Sequence, residues 1–402
     1  MTRDLLIAGM FRSGTTLLSR MLSAHPECLV VSDPFLYFFK AHRNSLLERA
    51  GAGGWHPDEP TSDHFLAPGG AVLEQILASD LGEPISAAQL DRLRADVRRW
   101  KAEQHPRLCE RLGEVAGETF AGVYRGLIRL AAEVYGPAPG EGRLAVAGTK
   151  VSWCEEYLPA LARAFPAMRF VMPVRDVRAI CASQNSAGGR GRGKRPLLFY
   201  VRHWRKSVAF ARRYLLREPA LHGRVRLVRY EDLVRRPREV LAELCEFLGL
   251  AFDPAMVDAG AFPAEDGSGP WTPNSSYGPG KGIYTSSLDR WREVLSEDEV
   301  ATLEALAGPE LKRMGYPVGP AVRTPLECLQ ADCEPPAEHL ADWLRPHPCV
   351  DYLRDPHLRA REYAAEELRR AVLEGTLDAA PDLVRGLFLD RENLADLRDT
   401  WT

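Results

Sequence analysis

Five short apolar runs recur in the first 230 positions, most of them followed by a stretch of helical periodicity. LLIAG (5–9) precedes a helical pattern from about Thr15 to Ala24, which Pro26 ends. CLVVS (28–32) is the second run. RLAVAGTK (143–150) leads into EEYLPALARAF, RFVMPVR (169–175) into DVRAICASQNS, and RVRLVRY (224–230) into EDLV and PREVLAELCEFLG. These runs lack apolar–polar alternation, which is the pattern of strands covered on both faces. Strands of that kind alternating with helices predict an α/β fold: a doubly wound, mainly parallel sheet flanked by helices.

Some stretches interrupt the rhythm. Residues from about 40 to 140 form a mostly helical insertion that follows a Gly/Pro-rich loop containing Trp55. SAGGRGRGKRP (186–196) carries Arg190, Arg192, Lys194 and Arg195 among glycines with no acid, and reads as a cationic loop. A second Gly/Pro-rich loop, holding Trp271 and Tyr277, runs from 263 to 282. The helix SEDEVATLEALAG opens with a capping box, Ser296 with Glu299. LKRMGYP then closes what reads as one domain, 1–320, leaving 321–402 as a C-terminal helical extension that could make a homodimer contact or cover the acceptor side.

Composition narrows the class. The 402 residues are 45% hydrophobic and 27% charged, as expected of a globular protein with a sizeable core. A formal net charge of −3 argues against a general nucleic-acid binder, so any anion site must be built locally. The apolar run near the N-terminus is too short for a signal-peptide core, and no run of about 18 apolar residues suggests a membrane span. Together with eight scattered cysteines, which read as reduced thiols, this predicts a cytoplasmic protein. The Ala, Arg, Gly and Pro content suggests a bacterial, GC-rich genome. Cys328, Cys333 and Cys349 with His339 and His347 match no paired zinc-ligand spacing, so no metal is expected.

The candidate chemistry starts at GMFRSGTTLL (9–18). Gly9-x-x-x-x-Gly14-Thr15-Thr16 is nearly a phosphate loop, with Thr15 where the lysine would stand and Arg12 three positions earlier. A glycine-rich junction between strand and helix aims N–H groups at an anion, and the helix terminus adds partial positive charge. Arg12 can fork onto two oxygens of one tetrahedral group. Without the lysine that reaches the β- and γ-phosphates, the loop suits an anion needing no metal clamp, such as a sulfonate leaving a phosphate. A second anion site is offered by VRDVRAICAS: Arg175 at a strand end and Ser183 eight residues on, with Arg178 between them. Two such sites suit a nucleotide phosphorylated at two positions.

With those motifs in order, the sequence resembles the sulfotransferases that use 3′-phosphoadenosine 5′-phosphosulfate (PAPS). The family's 5′-phosphosulfate loop, [KR]-S-G-T-T, stands as Arg12-Ser13-Gly14-Thr15-Thr16, and its 3′-phosphate pair as Arg175 and Ser183. VRYEDL resembles the segment whose tyrosine lies near adenine, here Tyr230; GTKVS resembles the third-strand lysine segment, here Lys150; and SLDRWREVLSEDEV resembles the closing segment of many bacterial members. Lys281-Gly282 resembles the basic loop that touches the 3′-phosphate in some members. Two departures stand out. Leu17 replaces an aromatic that stacks on adenine in many cytosolic members, and Ser152 stands where those members carry a histidine base. The glycine-loop and second-strand region looks closer to tyrosylprotein and carbohydrate sulfotransferases, whose base is an acid after the second strand.

The resemblance implies in-line transfer of a sulfuryl group from PAPS to a hydroxyl, or an amine, of a small-molecule or sugar acceptor, with natural products among the candidates. Asp33, in VVSDPF, is the expected general base; an Asp-Pro turn is the alternative reading, and His25 is the rival base. Arg12 and Lys150 would stabilise developing charge, with Ser287 or Ser286 as hydroxyl donors. Two rival classes remain at this stage: a nucleotide-dependent kinase with a degenerate loop, and a non-catalytic nucleotide-binding module.

Overall fold

The computed structural model describes residues 2–51, 70–138, 142–187, 197–264, 283–319 and 356–401. The chain divides into two compact units. Unit 1 takes in residues 1–53, 72–174 and 214–285, and unit 2 takes in 54–71, 175–213 and 286–402.

Unit 1 is built on a five-stranded sheet: β1 (Arg3–Gly9), β2 (Cys28–Ser32), β3 (Val146–Ser152), β4 (Arg169–Val174) and β5 (Val225–Arg229), in the spatial order β2-β3-β1-β4-β5. Every pairing is parallel, with Ile7 opposite Lys150 and Val171 in the register of its neighbours. The central strands are apolar and buried because helices cover both faces; β5, at an edge, alternates and exposes Arg226. The chain leaves β1 toward one edge and β4 toward the other. That reversal puts the topological switch point beside the carboxyl end of β1, where open α/β sheets bind ligands.

The helix Thr15–Ser23 lays Leu18, Met21 and Leu22 onto Leu5, Ile7 and Val30, and Pro237–Leu248 adds Leu241, Leu244 and Leu248 to the same core. Leu17 packs at the rim of this cluster. The expected insertion is helical where described: Leu36–Arg49, Gly70–Ala78, Ala87–Lys101, Pro106–Glu110 and Phe120–Tyr135. Cys28, Cys109, Cys154, Cys181 and Cys245 are buried free thiols.

Unit 2 is helical. It contains Val177–Ala187, most of Leu197–Leu216, Glu297–Arg313 and the tail helices Pro356–Glu374, Pro381–Phe388 and Arg391–Trp401. The capping box forms as read: Ser296 accepts from the Glu299 N–H at 3.1 Å, and Glu299 from the Ser296 N–H at 2.9 Å. Among the described residues, no helix is long and apolar enough to cross a membrane.

Candidate active site

Three non-glycine residues take left-handed backbone angles just beyond three adjacent strands of unit 1. They are Arg12 after β1 (φ 65°), Asp33 after β2 (φ 58°) and Trp153 after β3 (φ 63°). Such angles are sparsely populated by residues with a Cβ, and they concentrate where a site fixes its side chains.

The β1 loop turns tightly. The Ser13 hydroxyl and N–H both turn back to the Met10 carbonyl, so Ser13 shapes the loop from inside. Gly14 caps the helix at φ 87° and brings no side-chain cap of its own. A Cβ on Gly14 would overlap the ring of Tyr230, so that ring closes one side of the loop. Thr15 is buried, and Thr16 gives its carbonyl to Ser19 at 2.8 Å. The loop thus pairs a helix start, the place where backbone N–H groups favour an anion, with an arginine two residues before the cap and no room for a larger residue at position 14.

Beside it, Lys150 near the end of β3 forms a hydrogen-bonded ion pair with Asp33, its Nζ donating to Oδ2. The Lys150 side chain is 4% exposed and that of Asp33 36%. The Asp33 N–H donates to the Lys150 carbonyl at 2.7 Å, tying the two strand ends together. Burial pushes the Asp33 carboxyl up, but the charges of Lys150 and Lys101, the Lys150 hydrogen bond and the Ser152 backbone together hold it below its ordinary 3.8. Asp33 is thus an ionised, partly open carboxylate at neutral pH. The Asp-Pro turn and the charged pair are both present.

Sequence reasoning did not anticipate His105. It is fully buried, and its Nε2 donates to the Ser32 carbonyl at 2.7 Å, one residue before Asp33. Its Nδ1 lies 3.3 Å from the Tyr135 hydroxyl, which donates to it in this tautomer. Two helices of the insertion therefore anchor the end of β2. Phe11 and Trp153 were also missed. Their rings meet edge to face at 5.1 Å beyond β1 and β3. His25 is taken up structurally: Nε2 bonds the Ala251 carbonyl at 2.8 Å, and Nδ1 accepts from the Glu27 N–H at 3.0 Å.

In unit 2, Arg175 and Ser183 are both buried, Ser183 within the helix Val177–Ala187. Arg175 donates to the Ser287 carbonyl at 3.1 Å, and its own carbonyl accepts from Trp204 Nε1 at 2.8 Å. Arg178 is a structural residue: it pairs with Asp176 at 2.7 Å and with Glu304, and stacks over Trp291 at 4.3 Å. Ser287 is buried. Lys281, Gly282 and the loop 188–196 lie outside the described residues, as do Trp55, Trp271, Tyr277 and the Cys328–Cys349 region.

A parallel sheet with a glycine-capped helix start and an arginine after its first strand, beside a charged Lys–Asp pair, defines an α/β protein of phosphate-loop type. The profile of the Sulfotransferase family matches residues 4–254, and the chain belongs to that family. Carbohydrate sulfotransferase 5 of Mus musculus is 33% identical over 109 residues, 24% of this chain and 25% of the relative. Carbohydrate sulfotransferase 5 of Homo sapiens is 28% identical over 165 residues, 37% of this chain and 40% of the relative. The chain thus spans less than half the length of these relatives. Among solved structures, the sulfotransferase domain from the Synechococcus PCC 7002 olefin synthase aligns with a TM-score of 0.47 at 22% identity, covering 79% of this chain and 96% of that one.

Proposed function

We propose that this protein transfers a sulfuryl group from PAPS to a hydroxyl, or an amine, of a sugar or small-molecule acceptor. The reading rests chiefly on the β1 loop with its arginine beside the Lys150–Asp33 pair, in a chain of the Sulfotransferase family. The names of the carbohydrate sulfotransferases support a sugar or another polyhydroxylated acceptor.

PAPS, when bound, supplies a sulfuryl group activated by its link to phosphate. Arg12 and the N–H groups at the start of the helix Thr15–Ser23 would hold the 5′-side anion, with Tyr230 walling the loop. Arg175 and Ser183 would hold the 3′-phosphate, with Lys281 and Gly282 as further contacts. Asp33, kept ionised by Lys150, would take the acceptor's proton. Lys150, released from Asp33 as that proton arrives, would turn its charge to the departing oxygen, and Ser287 is proposed as a hydroxyl donor there. His105 would keep the β2 turn in register.

The same reading takes 1–320 as the transferase portion and 321–402 as an extension. It assigns the protein to a bacterial cytoplasm, which the buried free thiols support, with a homodimer through the tail left as part of the proposal. Incubating the purified protein with PAPS and a library of sugars, phenols and amines, followed by intact-mass analysis, tests the activity. The expected outcome is an acceptor gaining one sulfuryl group only when protein and PAPS are both present. PAPS consumption without any sulfated acceptor across hydroxyl and amine classes would count against it.

A further inference from the structure

The carboxyl edge of the sheet in unit 1 carries two aromatic rings to which the reaction above gives no role. Phe11 stands just before Arg12 in the β1 loop, and Trp153 is the first residue after β3. Their chain neighbours Met10, Val151 and Cys154 are fully buried, whereas Phe11 and Trp153 are only half-buried. The two rings meet edge to face, with 5.1 Å between centroids and 75° between planes. Rings at that angle form a corner with an aromatic face on one side and an aromatic edge on the other.

The backbone fixes where this corner sits. The Trp153 N–H donates to the Gly9 carbonyl at 3.3 Å, which ties the turn after β3 to the end of β1. On the other side of β3, the Asp33 N–H donates to the Lys150 carbonyl at 2.7 Å. The Asp33 carboxylate also takes the N–H of Ser152, the residue before Trp153. Trp153 therefore stands between the two halves of the proposed chemistry: its ring touches the neighbour of Arg12, and its chain neighbour bonds the base. Trp153 is also held at φ 63°, a left-handed angle that residues with a Cβ seldom adopt and that functional sites retain where a side chain must be fixed.

Resting on the transfer reaction proposed above, we infer that the Phe11–Trp153 pair is the acceptor platform, and that the acceptor presents its hydroxyl from the rim of a ring whose weakly polar face lies against Trp153. The negative face of an indole attracts the polarised C–H groups of a pyranose and the positive edge of a phenol alike. An open-chain polyol has no lasting flat face, and ordering its rotatable bonds costs entropy. The platform thus selects ring acceptors of either source over chains with the same hydroxyl chemistry.

Saturation-transfer NMR on the full chain, saturated with 3′-phosphoadenosine 5′-phosphate, tests this with methyl glucopyranoside, naphthol and sorbitol as probes. Signal is expected on the ring protons of the glucopyranoside, the naphthol or both, which names the source, with sorbitol at least about tenfold weaker. Trp153→Leu should weaken ring binding at least about tenfold while nucleotide affinity stays near wild type, and Trp153→Phe should restore most of it. Phe11→Leu should act in the same direction and decides the matter where Trp153→Leu does not fold. A purely structural role for the pair would instead lower melting temperature and nucleotide affinity together and leave the ranking of the probes unchanged. No ring signal on nucleotide-loaded protein, sorbitol equal to the rings, or unchanged ring binding in the folded variants would each overturn the platform. Failure to bind the nucleotide at all would strike the transfer reading itself.

Discussion

At the scale of single residues the account turns on Asp33 and Lys150. A buried ammonium needs a counter-charge, and a base acting at neutral pH must be ionised; one ion pair meets both needs. Asp33→Asn keeps an oxygen for Lys150 to bond but cannot take a proton. It should lower kcat by about 10²-fold or more in the sulfation assay while leaving affinity for the desulfated nucleotide near wild type. Near-normal turnover would move the base elsewhere. The pH dependence follows from the sign of the shift. Asp33 sits below its ordinary value, so its stabilising contribution is present above the usual carboxylate pKa and is lost as pH falls through its folded value. An acid limb due to Asp33 should therefore lie below pH 3.8 in the wild type, and kcat/KM should not fall on its account between about pH 7 and 5. Lys150→Met removes the main cation favouring the carboxylate and leaves burial opposing it. The acid limb of the residual activity should then move to higher pH, and an unmoved limb would separate Lys150 from Asp33's ionisation.

At the scale of elements, the proposed site is carried by the β1 loop and the helix it opens. Gly14 is constrained twice, by φ 87° and by the Tyr230 ring where a Cβ would go. Gly14→Ala should cost about 1–2 kcal/mol for the left-handed backbone alone, with the steric overlap added to it. The variant should melt earlier and bind nucleotide more weakly. In a Tyr230→Ala background the same substitution should cost less stability, because only the backbone part remains. Equal costs in both backgrounds would mean that the ring does not press on the loop. The insertion acts as an element too. Its helices hold the end of β2 through His105, so part of what aims Asp33 comes from far along the chain.

At the scale of the whole molecule, the sheet was legible because strands covered on both faces read as unbroken apolar runs. The boundaries of β2 and the end of β1 came out as read, while β3 extends to Ser152 and β1 starts at Arg3. The loop was legible because glycine, arginine and two threonines stand together locally, and Asp33 because it directly follows a strand. His105 was not legible: its bond to Ser32 spans 73 positions and depends on how the insertion folds back, which no local pattern encodes. Phe11 and Trp153 were hidden for the same reason, since only the parallel pairing of β1 with β3 brings their loops together.

The central claim is that the chain grips a doubly phosphorylated adenosine carrier without a metal clamp. Titration calorimetry with 3′-phosphoadenosine 5′-phosphate and with ATP, each with and without magnesium, tests it most directly. The account predicts saturable binding of the former, indifferent to magnesium and at least about tenfold weaker in Arg12→Ala, with ATP far behind. Tight magnesium-dependent ATP binding, with no heat from 3′-phosphoadenosine 5′-phosphate, would contradict it.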